Sequence, residues 1–249
     1  AAKNDANPAY QDFETGASMA TESAFPADYL AANGNKLPNA PGCADPTGST
    51  ANDPIMLTLQ IRTPSNAKSF KLSTNFFSSE FPEYTCTPYN DFFVVLLDSA
   101  YTGMPANPTD KNLAFFTPPG STAKYPVGVN LASGNTGLFT QCVNGDIGCA
   151  DLFGPDHGAI STCTSTSQLA GTGLDEAAAT GFGGPQCNTN SLKGGATGWL
   201  ETSGNVKGGE IITLRIAIWD TSDHVLDSLA VIDAFQWSVD VAQPGTVIF

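Results

Sequence analysis

The sequence predicts an all-β protein: an antiparallel, jelly-roll-like β-sandwich with long disulfide-stapled loops and a short N-terminal helix. Three observations carry the prediction. Apolar residues recur at every second position in several segments, no segment keeps a helical period beyond about two turns, and Gly and Pro punctuate the chain at nearly every strand end. With 249 residues and 41% hydrophobic side chains, the chain is long enough to build a substantial core.

In chain order, residues 1–42 read as an extended arm whose only regular feature is Phe25-Pro-Ala-Asp-Tyr-Leu-Ala-Ala-Asn33, enough for one or two helical turns. Residues 43–249 read as one sandwich domain. Residues 55–61 form its opening strand. Next, Phe70, Leu72 and Phe76 alternate with Lys71, Ser73 and Asn75, the pattern of a strand with one face in the core. Residues 92–97 are continuously apolar, which suits a strand buried on both faces. Weaker strand signals follow at residues 113–116 and 127–131. Residues 132–196 are then an irregular insertion, rich in Gly, Thr, Ser and Asn, that holds four of the six Cys. A loop of that length is uncommon in a compact domain, so it is expected to be stapled or functional.

The strongest strands close the chain. Ile212, Leu214, Ile216 and Ile218 share one face, and Leu229, Val231, Phe235, Trp237 and Val239 another. Asp233 has the parity of that second apolar face, so it must find a partner or sit at a bulge that reverses its direction. The terminal Gly245-Thr-Val-Ile-Phe249 is strand-like. It either folds back onto its own sheet or adds to the sheet of a neighbouring copy, which would make the protein its own partner.

Charge narrows the function classes. Ten Lys and Arg stand against 24 acids, seventeen of them Asp, for a net charge of -14 and a pI near 4.2. Nucleic acid and anionic membranes want a basic face, so both are poor partners. No apolar run reaches transmembrane length, and membrane insertion is not expected. The six Cys at 43, 86, 142, 149, 163 and 187 include no Cys-x-x-Cys pair and have only two His to help them bind zinc, so disulfides in an oxidising compartment are the expectation. The spacing favours Cys142 with Cys149 and Cys163 with Cys187, leaving Cys43 for Cys86. No hydrophobic signal segment opens the sequence, which reads as a processed secreted chain. The absence of an Asn-x-Ser/Thr sequon leans toward a bacterial source.

Two apolar strands each run into an acidic loop. One carries Glu80, Glu83 and Asp91, the other Asp220, Asp223 and Asp227. Carboxylates gathered at strand ends suit calcium, which takes six to eight oxygen ligands in irregular geometry. Glu80, Asp91, Asp220, Asp223 and Asp227 are therefore the candidate metal ligands. The spacing of an EF-hand loop is absent, so any site must be assembled from separate loops.

The motifs Ser78-Ser-Glu-Phe-Pro-Glu-Tyr84, Tyr89-Asn-Asp-Phe-Phe93 and Ile218-Trp-Asp-Thr-Ser-Asp-x-x-x-Asp-Ser228 together resemble the choice-of-anchor L domain, a bacterial extracellular module. The resemblance spans roughly residues 43–241. It implies a secreted or cell-surface location and carries no catalytic residues with it. The chain departs from the family in lacking an apolar opening strand ahead of the arm and a recognisable C-terminal anchor.

Catalytic motifs are sparse. His157 and His224 each neighbour an Asp, but there is no Gly-x-Ser-x-Gly elbow, no His-Glu-x-x-His and no unpaired Cys nucleophile. The sequence is read as a non-enzymatic adhesive module or subunit of a surface assembly. A calcium-dependent glycan-binding module is the alternative, with Trp199, Tyr89, Tyr101 and Tyr125 as stacking candidates, since Trp219 and Trp237 lie within strand patterns. A hydrolase working through two carboxylates stands behind both.

Overall fold

A computed structural model describes residues 20–150, 154–177, 187 and 192–249 of the chain. Its twelve strands in chain order are β1 (Glu22–Ser23), β2 (Ala51–Arg62), β3 (Ser69–Ser78), β4 (Phe92–Asp98), β5 (Phe115–Phe116), β6 (Tyr125–Pro126), β7 (Asp146–Ile147), β8 (Ala159–Ile160), β9 (Gly195–Asn205), β10 (Ile211–Asp220), β11 (Ser228–Ser238) and β12 (Gly245–Ile248). Two four-stranded antiparallel sheets face each other, ordered β1-β2-β10-β4 and β11-β3-β9-β12. The expected sandwich is thus present, with one six-residue α-helix among the described residues, α1 (Ala27–Ala32).

The core between the sheets follows the alternation of the sequence. Phe70, Leu72 and Phe76 from β3 meet Phe93, Val95 and Leu97 from β4 and Ile212, Leu214 and Ile216 from β10. The opposite face of β4, carrying Phe92, Val94 and Leu96, is buried as well. Together with Ala217 and Trp219 it is covered by Phe25, Tyr29 and Leu37 of the arm. The continuous apolar run of residues 92–97 therefore has two cores to fill.

Helix α1 is held on that outer face by packing and charge. Tyr29 is fully buried, and Asn112 donates to its hydroxyl. Asp28 accepts two hydrogen bonds from the Arg215 guanidinium at 2.9 and 2.6 Å and one from Lys111 at 2.8 Å, while Lys111 also pairs with Asp98. The bidentate Arg215 bond, followed by the nearby positive charges, holds the Asp28 carboxyl well below the ordinary carboxylate range. Its contribution to stability is accordingly present above that range and fades as acid protonates it.

Three expectations are corrected. Residues 127–131 are not a strand: Tyr125–Pro126 pairs with Phe115–Phe116, and a 3-10 segment begins at Val129. Cys43 does bond Cys86, but the other bridges are Cys142–Cys163 and Cys149–Cys187. The reason is the path of the insertion. Residues 163–165 return alongside residues 140–142, with the Cys142 N–H donating to Ser165 O at 2.9 Å, which brings Cys163 to Cys142. Cys149 is carried away to the acidic loop, where Gly148 and Ala150 N–H groups donate to the carbonyls of Pro82 and Glu83, each at 2.9 Å. The third correction concerns β11, whose Val231, Phe235 and Val239 were expected in the core but stay exposed on an open side of the sandwich.

Other expectations hold. Asp233 is exposed beside a bulge at Ala234, φ 51°, where β11 carries one residue more than β3. The C-terminal segment folds back, pairing antiparallel with β9 of its own sheet.

Because Tyr29 is the fully buried arm residue of the outer core, Tyr29→Ala is expected to lower the unfolding free energy by about 3–5 kcal/mol in urea titration, by cavity formation. A loss below about 1 kcal/mol would show that the arm contributes nothing to the sandwich.

Candidate metal centre

The acidic loops meet at one end of the sandwich. Residues 79–91 connect β3 to β4, residues 221–227 connect β10 to β11, and hydrogen bonds stitch the two together. Ser79 donates through its N–H and its hydroxyl to Asp227 O, at 3.2 and 2.9 Å. Thr221 Oγ1 donates to Asn90 O at 2.8 Å and accepts from Asn90 N–H at 3.3 Å, and Ser222 Oγ donates to Pro88 O at 2.8 Å. Ser222 and Leu226 adopt left-handed backbone, with φ of 80° and 70°, which lets a short loop turn tightly between two sheets.

This stitching brings Glu80, Asp91 and Asp220 together. One carboxylate oxygen from each lies within 4.8 Å of the others. Glu80 and Asp91 are each 1% exposed. Asp220 is aimed by a bulge: Ile218 pairs with Ile55 and Asp220 with Asn52, so β2 carries one extra residue there, with Asp53 in left-handed backbone. Asp91 N–H donates to Glu80 Oε2 at 3.3 Å. Space is tight behind Asp91, since a Cβ on Gly128 would stand 2.3 Å from Asp91 O. Only glycine allows that approach.

The remaining candidates flank the trio. Asp223 Oδ1 accepts from Val225 N–H at 3.1 Å, its carbonyl accepts from Asn52 Nδ2, and its charge reaches Glu80, Asp91 and Asp220. Asp227 gives its carbonyl to Ser79, and its charge is felt at Asp91. With Asp91, Asp220 and His224, Asp227 lines an open groove of about 240 Å³ that also takes in Asp53, Ile55 and Trp219. His224 itself is engaged, with Nδ1 3.1 Å from Asp53 Oδ2 and Nε2 3.7 Å from Glu22 Oε1. His157 is exposed on the far loop.

Electrostatically the trio is out of balance. Burial pushes Asp220 up to about 12, with the charges of Asp91, Glu80 and Asp223 adding to it. Asp91 rises to about 7 for the same first reason, and Glu80 rises well above its ordinary range. Two buried oxygens, Asp91 Oδ1 and Asp220 Oδ1, have no hydrogen-bond partner among the described residues. Buried polar atoms are nearly always satisfied, so these mark a place where something other than the chain completes the bonding. Carboxylate oxygens alone, without nitrogen or sulfur, form the donor set of a hard cation.

Nothing in the sequence distinguishes the three converging residues from Asp223 and Asp227. What separates them is position. Glu80 and Asp91 are buried where β3 ends and β4 begins and Asp220 is half-buried at the end of β10, whereas Asp223 and Asp227 lie within the loop. Asn90, Thr221 and Gly128 hold the site together and were not expected from sequence. Asn90 and Thr221 are signalled only by adjacency to the acids, and Gly128 by nothing around it in the sequence. Comparison with protein-family models, curated proteins and solved structures finds no match.

A carboxyl whose native pKa exceeds its unfolded value of about 4 stabilises the fold while protonated, and that contribution is lost as pH rises through the native value. In chelator, melting temperature is therefore expected to fall from pH 4.5 to 8.5, with the Asp91 contribution lost progressively between about pH 4 and its native value of about 7. Asp220→Asn, which keeps the shape without the charge, should flatten that decline. A melting curve independent of pH in chelator, with or without the substitution, would contradict the shared protonation.

Proposed function

We propose that the protein is a non-enzymatic, calcium-braced module of the bacterial cell surface or extracellular matrix, acting in adhesion or as a building block of a surface assembly. One observation carries the reading: three carboxylates from two separate loops share a buried volume, and two of their oxygens lack partners. A divalent ion would relieve both the repulsion and the unmet bonding, and in doing so would lock the ends of both sheets to each other. Calcium suits the set better than magnesium, because ligands drawn from distant loops rarely meet octahedral demands. Asp223 and Asp227 are placed to supply further oxygens or to hold coordinating water.

The three disulfides point to an oxidising, extracellular setting, and among the described residues no helix is long and apolar enough to cross a membrane. The resemblance of the acidic motifs to the choice-of-anchor L domain supports a secreted, surface-associated role. The groove over Asp91 and Asp220 favours a second reading, in which hydroxyls of a surface glycan complete the ion's coordination.

Calcium binding to the native state alone stabilises by RT ln(1 + [L]/Kd), about 2.7 kcal/mol at a hundredfold excess over Kd. Titration calorimetry is expected to show one calcium per chain, with melting temperature raised by calcium and returned by chelator. Asp91→Asn should abolish the heat while the three disulfides still form. An unchanged melting curve across calcium and chelator would remove the ion from the proposal. Binding of the calcium-loaded protein to a glycan array, lost in chelator, would select the second reading.

A further inference from the structure

Both acidic loops are tied to one segment of the chain. Residues 39–50, between α1 and β2, belong to no helix or strand, so local turns, side-chain bonds and a disulfide fix their path. On the loop that joins β3 to β4, Cys86 is bonded to Cys43 of the segment, and Asn39 Oδ1 accepts from Asn130 Nδ2 at 3.0 Å. Asn130 is the hub of this contact, since its own Oδ1 accepts from Cys86 N–H and its N–H donates to Asn90 Oδ1, beside Asp91. On the loop that joins β10 to β11, Ser222 Oγ accepts from Thr47 N–H at 2.9 Å, and Asp223 O accepts from Asn52 at the start of β2. One strap thus crosses both loops that assemble the carboxylates. Of these ties, the covalent one is Cys43–Cys86.

We propose that the Cys43–Cys86 bridge is a redox latch on the metal centre: closed, it holds the ion-binding geometry, and opened by a thiol reductant it lowers the affinity for calcium. The latch rests on the metal reading above. Its chemistry is thiol–disulfide exchange with a small dithiol. Cys43 is half-buried and Cys86 is 2% exposed, which directs attack to the sulfur of Cys43. One reagent sulfur bonds to Cys43 Sγ as the Cys43–Cys86 bond breaks, and Cys86 departs as a thiolate that takes up a proton. The second reagent sulfur then displaces Cys43, which is protonated in turn. Two electrons and two protons pass from the reagent, leaving two cysteine thiols and an oxidised dithiol.

Opening the bridge leaves Thr47 and Asn52 holding the loop after β10, while the loop before β4 keeps only side-chain and main-chain hydrogen bonds to its surroundings. Charged carboxylates that share a small volume repel, so slack in either loop is taken up as separation. Calcium must then order the loops as it binds, which weakens it. The bonds from Ser79 and Thr221 across the loops remain, so affinity falls without vanishing. Coupling of this kind is reciprocal: the factor that reduction takes from calcium affinity is the factor by which bound calcium disfavours reduction. The Cys142–Cys163 bridge provides the contrast. It joins residues 140–142 to residues 163–165, and among the described residues neither of its cysteines hydrogen-bonds to an acidic loop.

Titration calorimetry with calcium compares the full chain with two double variants, Cys43→Ser/Cys86→Ser and Cys142→Ser/Cys163→Ser. Binding about tenfold weaker is expected in the first, an ordinary factor for coupled sites, and a change of no more than about twofold in the second. A full chain that binds no calcium removes the metal centre and the latch together. A full chain that binds, beside a Cys43→Ser/Cys86→Ser variant that binds equally well, overturns the latch alone. Equal weakening in both variants overturns it as well, because the bridges would then act only through general stability. Should the first variant fail to fold, the full chain reports the same coupling from the other side. Equilibration in graded dithiol buffers, alkylation of free thiols and peptide mapping are expected to show Cys43–Cys86 about tenfold harder to reduce in calcium than in chelator, with Cys142–Cys163 unchanged. No protection of Cys43–Cys86, or protection shared equally by both bridges, overturns the proposal.

Discussion

Three carboxyl groups with ligand oxygens within 4.8 Å of one another, two of them on residues shut away from water, are the constraint around which this sandwich is organised. Left as charges they repel, and without counter-charge they hold protons far above the ordinary carboxylate range. The surrounding structure is what keeps them together. Ser79, Thr221 and Ser222 bind loop to loop, and Asn130 reaches in from the 3-10 segment that begins at Val129, accepting from Cys86 N–H at 2.6 Å and donating through its own N–H to Asn90 Oδ1 at 2.9 Å. Two disulfides end in the same neighbourhood, at Cys86 and Cys149. The insertion that looks structureless in sequence is a buttress for one face of the acidic loop.

Much of this was legible in the residues because period and burial coincide. Alternation marks β3 and β10, the uninterrupted run at β4 announces two buried faces, and acids clustered after β3 and β10 mark the end where the loops meet. Less could be read where the answer depends on how the chain returns. Cys142 and Cys149 are close in sequence, but β7 between them pairs with β8, which carries the second away and brings residues 163–165 back to the first. A local spacing rule has no access to that return. Nor could pattern alone rank five acids by depth. Asp91 is buried and Asp223 half-buried, and the close approach of Gly128 to Asp91 O is a tertiary contact that no local pattern announces. β11 misleads for a related reason, since an apolar strand reads the same whether it faces a core or waits at an edge.

The outer cover illustrates how local weakness is compensated at a distance. Six residues of helix would be marginal alone, because nucleation is costly and the chain is short. Tyr29 makes α1 worthwhile by filling the second core of β4. Asp28 adds orientation: one carboxylate bound by Arg215 from β10 and Lys111 from the β4–β5 connection fixes the helix to two separate elements. In a chain with so few cations, placing two of them on a single acid is a concentrated use of positive charge. The acidic end of the molecule has no comparable cation in its first circle of neighbours, where His224 is already turned toward Asp53 and Glu22.

The beginning of β2 joins the acidic end to the open side. Asn52 donates to the carbonyl of Asp223, Asp53 accepts from Thr21 and faces His224, and Ile55 both lines the groove over Asp91 and starts the exposed edge. Three residues of the stretch 52–55 thus connect the carboxylate cluster, the anchoring of the arm and the exposed start of β2, and the bulge that aims Asp220 lies among them at Asp53.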